Sequence, residues 1–233
     1  KKETEKPLNG SAYGRTIMTT EPKFIPNNAA RIQLTDDVEV NIRMVDCVGY
    51  MVDGATGHME EDVPRMVKTP WYEEEIPFVK AAEIGTKKVI KEHSTVGIVV
   101  TTDGSVTDIP RDSYMEAEKE TIEELKELHK PFIVLVNSSK PYSQEVRQIA
   151  TQLSDTYGII ALPMNCQQMK EDDVRLILEN LLYEFPVSVM EFYMPKWVEM
   201  LSNTHPFKAG LMDSIRQMTK DVHVMRDIIE HPI

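Results

Sequence analysis

Between residues 79 and 182, stretches with helical apolar spacing alternate with short, continuously apolar runs. Val79, Ala82, Thr86, Val89 and Ile90 mark one helix face, and the run 96–100 follows. Tyr114, Glu118, Ile122, Leu125 and Leu128 mark a second, followed by 132–136. Val146, Ile149, Ala150, Leu153 and Tyr157 mark a third, followed by 159–162, and Val174, Ile177, Leu178, Leu181 and Leu182 a fourth that stops at Pro186. Intervals of three and four residues put each set on one side of a helix, whereas uninterrupted apolar strands are those covered on both faces. Such alternation predicts a three-layer α/β domain with a mainly parallel sheet.

The flanks read differently. Residues 1–30 are polar, rich in Pro, Gly, Asn and Thr, and predict a loop. Val38, Val40, Ile42 and Met44 alternate with polar neighbours, which predicts a half-buried strand. The short Thr35-Asp36-Asp37 turn makes it half of an antiparallel hairpin, and this hairpin (residues 31–46) is expected at one edge of the sheet. Residues 47–78 carry three glycines and three prolines in a long loop, a length at which loops are usually functional. Past Pro186, residues 187–194 read as one more strand, and Pro195 opens a short helix. From Pro206 a long helix is expected, with a heptad-like seam of Leu211, Ile215, Met218, Val222, Met225 and Ile229. This divides the chain into a domain over 1–186 and the start of a helical region over 187–233.

Composition narrows the possibilities. The chain has 233 residues and a formal charge of −12, too acidic for general adhesion to nucleic acid. No apolar run approaches the roughly 18–20 residues that span a bilayer, and the N-terminus shows no apolar signal core. Two separate cysteines, Cys47 and Cys166, suit reduced, half-buried thiols. The cytoplasm is therefore the expected compartment. Because the chain starts at Lys1 and ends within a helical pattern, it reads as a fragment.

Ligands of open α/β sheets sit at the C-terminal ends of the strands, so chemistry is sought there. Asp46-Cys47-Val48-Gly49, a D-x-x-G, ends the hairpin strand and enters the long Gly/Pro loop. One hairpin earlier lies the Thr-rich loop of residues 14–22. A nucleotide hydrolase needs a hydroxyl on Mg²⁺, a carboxylate behind the metal's waters and a glycine N–H that senses the γ-phosphate. Thr19 or Thr20, Asp46 and Gly49 supply these in the chain order of a GTPase-type site. At a later strand end stands Asn137-Ser138-Ser139-Lys140, where GTPases carry N-K-x-D. Lys140 has only donors and cannot accept the guanine protons, so ATP is the expected nucleotide, with Asn137 facing the base. No G-x-x-x-x-G-K-[ST] phosphate cradle occurs, so this chain by itself is expected to be inactive and to bind ATP poorly.

The blocks GRTIMTTEPKFIPN, VNIRMVDCVGYMV, PRMVKTPWYEEEIPF, KAAEIGTKKVIKEHSTVGIVVTTDGS, KPFIVLVNSSKPY and LLYEFPV resemble the stage IV sporulation protein A family. These are the spore-coat morphogenetic ATPases of endospore-forming bacteria. The resemblance, dense from about Gly14 to Pro206, implies a P-loop GTPase-like (TRAFAC) α/β fold with a C-terminal helical extension. It also implies ATP and Mg²⁺ as cofactors. Thr19 and Thr20 fall on the family's sensor threonines and Asp46 on its Walker-B-type aspartate, which makes Thr20 and Asp46 the expected metal residues. The implied function is an ATP-hydrolysing scaffold that polymerises into the basement layer of the coat around the forespore. Its implied partners are further copies of itself, a small amphipathic membrane-anchoring peptide and other coat morphogenetic proteins. Membrane contact would then be indirect, and the location the mother-cell cytoplasm at the forespore's outer membrane. A nucleotide-independent module that recruits coat proteins is the alternative, and a plain GTPase a weaker one.

Overall fold

The structure, a computed structural model, describes residues 23–33, 39–60, 62–69 and 71–230. These residues form two compact units that divide between Leu176 and Ile177. The centre of the first is a parallel sheet of order β7-β8-β9, whose strands are β7 (Gly97–Thr102), β8 (Phe132–Asn137) and β9 (Ala161–Met164). Gly97 pairs with Phe132 and Thr102 with Asn137, while Val134 pairs with Ala161 and Asn137 with Met164. All three strands therefore end at one level, which gathers their C-terminal turns on one rim.

The sheet is what the apolar runs require. Five of the six residues of β8 are buried, and the exception is Asn137 at the rim. Val99, Val134 and Val136 form a single cluster with Ile122 and Leu125 of α2 (Met115–Glu127) and Val146, Ala150 and Leu153 of α3 (Gln144–Tyr157). Ile133 and Leu135, which point to the other face, are buried as well, so β8 is covered on both sides. Helix α3 begins at Ser143, whose hydroxyl accepts from the Val146 N–H, and ends at Gly158 with φ 62°. Gly97 opens β7 where a Cβ would stand 3.0 Å from the Leu125 side chain, a close approach that a larger residue would meet only by displacing Leu125.

Ahead of the sheet, β1 (Lys23–Gln33) and β2 (Glu39–Asp46) form the expected hairpin, with a register shift between Ile25 and Ala30. It is a two-stranded sheet of its own: among the described residues neither strand is hydrogen-bonded to β7. Burial explains the difference, because β2 has no fully buried residue and is half exposed like a two-stranded ribbon, whereas β8 is a covered strand. The loop that follows is braced by two tiny ladders, β3 (Met59–Glu60) with β4 (Val63–Pro64) and β5 (Met66–Val67) with β6 (Ile76–Pro77). It leads into α1 (Phe78–Lys88), which continues as a π-helical turn over Val89–His93. Helix α4 (Glu171–Tyr183) spans the division between the units.

The second unit corrects two expectations. Residues 187–194 form no strand: the nearest pairing is an isolated bridge between Pro186 and Val224, with flanking bonds from Val187 N–H to His223 O and Met225 N–H to Phe185 O. A strand needs a partner along its length, and none is supplied among the described residues. Helix α5 (Lys196–Glu199) follows Pro195 as expected. The heptad-like seam, however, does not lie on one helix: α6 (Pro206–Thr219) stops, and α7 (Met225–Glu230) starts afresh. Asp227 accepts the N–H groups of His223 and Val224 at 2.8 and 2.9 Å, which caps the new helix and breaks the seam at Val222. Helix α5 meets α6 through Trp197 and Phe207, their ring centroids 5.5 Å apart.

Candidate functional site

Two groups of strand ends carry the expected chemistry. At the end of β2, Asp46 is exposed and Gly49 adopts φ 80°, a conformation that favours glycine. Both line an open groove of about 380 Å³ that is also lined by Ile98, Val100 and Thr101 of β7. Cys47 follows Asp46 and is half-buried, and burial pushes its thiol up. Thr19 and Thr20 lie outside the described residues. Mg²⁺ in nucleotide sites typically keeps several waters and takes one or two protein oxygens besides the phosphates. An exposed carboxylate at a strand end fits such a water-mediated role. Among the described residues no group of three or more His, Cys, Asp or Glu could hold a metal.

The second group is the rim of β7, β8 and β9. The Asp103 carboxylate joins two turns: one oxygen accepts from the N–H and hydroxyl of Ser105 at 2.9 and 2.6 Å, the other from the Ser138 hydroxyl at 2.7 Å. Burial opposes its charge, but the donors from Ser105 and Ser138 outweigh that and hold the carboxyl below its ordinary range. Ser138 is 0 % exposed, and its oxygen also accepts the Lys140 N–H at 2.9 Å. The Ser105 oxygen accepts the Ser139 N–H at 2.9 Å, and Thr102 Oγ1 accepts the Gly104 N–H at 3.0 Å. Asn137 reaches sideways: its carbonyl oxygen accepts the Cys166 N–H at 2.9 Å and ties the end of β8 to the turn after β9. In that turn Asn165 Oδ1 accepts from the Gln167 and Gln168 N–H groups.

Under the β7 end sits a buried ion pair. Arg111 donates to both Glu118 oxygens at 2.6 and 2.8 Å and to Thr101 Oγ1 at 2.7 Å. The Glu118 side chain is 5 % exposed. Glu118 belongs both to a run of six glutamates between 116 and 127, which suggests a solvated face, and to the apolar stripe of its helix, and the structure follows the stripe. It lies four residues before buried Ile122, so the apolar stripe of α2 carries it inward. The pair pins the 103–114 segment against the strand end.

Asp46 and Gly49 therefore share one groove, Asn137 stands on the neighbouring rim, and Thr101 belongs to both settings. Asp103, Ser105, Ser138 and the Arg111–Glu118 pair are additions that motif reading missed. The available signal was T-T-D-G-S directly after an apolar strand, polar residues at a place where ligands bind.

Residues 1–186 match the family model described as Stage IV sporulation protein A, ATPase domain, and residues 187–232 match that of its middle domain. The chain belongs to the stage IV sporulation protein A family. It is 51 % identical over 221 residues to Stage IV sporulation protein A of Bacillus subtilis (strain 168). It is 48 % identical over 221 residues to that of Bacillus anthracis and 49 % over 224 residues to that of Clostridioides difficile (strain 630). These alignments cover 95–96 % of the chain but 45 % of each relative, so the chain spans about half the length of the curated relatives it matches. No solved structure matches. Family membership implies the P-loop GTPase-like α/β class, which agrees with the parallel β7-β8-β9 sheet and its helices. Among the described residues no helix is long and apolar enough to cross a membrane.

Proposed function

We propose that the intact protein is a Mg²⁺-dependent ATPase whose nucleotide cycle drives assembly of a spore-coat scaffold at the forespore's outer membrane, from the mother-cell side. The observation that carries the reading is the match of residues 1–186 to the family's ATPase domain; Asp46 ends the hairpin strand β2, Gly49 follows it, and Asn137 ends β8 of the parallel sheet. Residues 1–186 act as the ATPase domain and 187–233 begin the middle region. Asp46 backs the metal's waters, Thr20 holds the metal and Thr19 senses the γ-phosphate. Gly49 reports on that phosphate through its N–H, and Asn137 faces the base. Bound Mg²⁺ neutralises the charge that develops on the phosphates. Partners are further copies of the chain, a small amphipathic membrane-anchoring peptide and other coat morphogenetic proteins, so membrane contact is indirect.

The test is steady-state hydrolysis by the intact protein with ATP and with GTP, with and without Mg²⁺. Turnover of ATP exceeding that of GTP and lost on chelation is the expected result. Preference for GTP would overturn the reading of Lys140, and no turnover of either would favour a nucleotide-independent coat module.

A further inference from the structure

The turn after β8 hangs on one carboxylate that belongs to the turn after β7. Ser105 and Ser138 each aim a hydroxyl proton at Asp103, at 2.6 and 2.7 Å, one at each carboxylate oxygen. An ionised carboxylate only accepts, and a hydroxyl has one proton, so both serine oxygens are left as acceptors. Each then takes a backbone N–H of the same turn. Ser105 Oγ takes that of Ser139 and Ser138 Oγ that of Lys140, both at 2.9 Å. The remaining N–H, that of Ser138, goes to Met164 O at 2.8 Å. Two of three consecutive N–H groups are therefore oriented through Asp103. Ser138 is fully buried, where bulk water cannot replace a lost acceptor. Asp103 is itself steadied by the Ser105 N–H at 2.9 Å.

The turn held in this way begins directly after Asn137 and ends on Lys140. We propose that Asp103 is a positioning residue of the nucleotide site: through Ser138 and Ser105 it fixes residues 138–140 in the shape that the bound nucleotide meets. The inference rests on the reading that the base lies at Asn137. Asp103 acts through the two serines and not by contact with the ligand. A turn that is already ordered gives up less freedom on binding, so its order adds to affinity. Asp46, the residue read as backing the metal, ends a strand of a different sheet. Loss of Asp103 should therefore weaken binding and leave the hydrolysis of bound nucleotide nearly intact.

The experiment is calorimetric binding of a non-hydrolysable ATP analogue to the intact protein with Mg²⁺, beside single-turnover hydrolysis of saturating ATP. Asp103→Ala is expected to weaken binding about tenfold, the scale of losing hydrogen bonds to a charged group. Its hydrolysis rate at saturation should stay within about threefold of the wild type, the split expected when binding alone is lost. The double variant Asp103→Ala/Ser138→Ala should bind more tightly than the product of the two single effects, because the side chains act as one unit. Unchanged affinity in a folded Asp103→Ala protein overturns the inference. So does a double variant equal to that product, or a hydrolysis rate at saturation that falls in step with affinity. If Asp103→Ala does not fold, Ser105→Ala decides, since that residue is exposed. Binding weakened about threefold there supports the inference, and wild-type affinity overturns it. A wild-type protein that binds no analogue overturns the nucleotide-site reading itself, which separates that failure from one confined to Asp103.

Discussion

Replacing Arg111 with Met should lower the unfolding free energy by about 3–5 kcal/mol, because it leaves Glu118 buried and without its cation. The pair is bidentate, at 2.6 and 2.8 Å, and the Glu118 side chain is nearly inaccessible. Water cannot take over from the lost guanidinium, and the Thr101 hydroxyl loses a donor in the same step. The double variant Arg111→Met/Glu118→Leu should recover most of the loss, since removing both charges also removes the cost of burying them. Urea unfolding of the wild type, both single variants and the double variant gives the coupling directly. A loss below about 1 kcal/mol for Arg111→Met would mean that the pair is far more hydrated than its burial implies.

Asp46→Ala in the intact protein should have the opposite signature. ATP hydrolysis should fall by about 10²–10³-fold, the scale of losing one fixed electrostatic contributor to a transition state. Stability should change by no more than about 0.5 kcal/mol, since Asp46 is exposed at the end of β2. Single-turnover hydrolysis beside thermal unfolding separates the two effects. Wild-type hydrolysis by the variant would remove Asp46 from the metal site.

These residues also show what a one-dimensional pattern can carry. The runs at 96–100, 132–136 and 159–162 became β7, β8 and β9; β8 is apolar throughout because it is covered on both faces, whereas β7, equally apolar in sequence, leaves Ile98 and Val100 exposed. The ladders at 59–67 and 76–77 are two residues long, too short for any period to show. The seam from Leu211 to Ile229 has the right spacing, but spacing does not register that Asp227 caps a second helix or that Val224 crosses Pro186. That Asp46 and Asn137 end strands was legible because the apolar pattern before each is local. The Asp103–Ser138 bond spans 35 residues and the Asn137–Cys166 bond 29, so they exist only once the sheet sets its register. Glu118 was ambiguous: its acidity suggested solvent and its helical position the core, and Arg111 settles it.

The proposed nucleotide site takes in the ends of β2 and β8. Hydrogen–deuterium exchange of the intact protein, with and without Mg²⁺ and a non-hydrolysable ATP analogue, tests it most directly. Nucleotide is predicted to slow exchange in peptides that cover residues 46–50 and 137–140 and to leave peptides of α6 unchanged. Exchange unaltered at both strand ends under saturating nucleotide would contradict it.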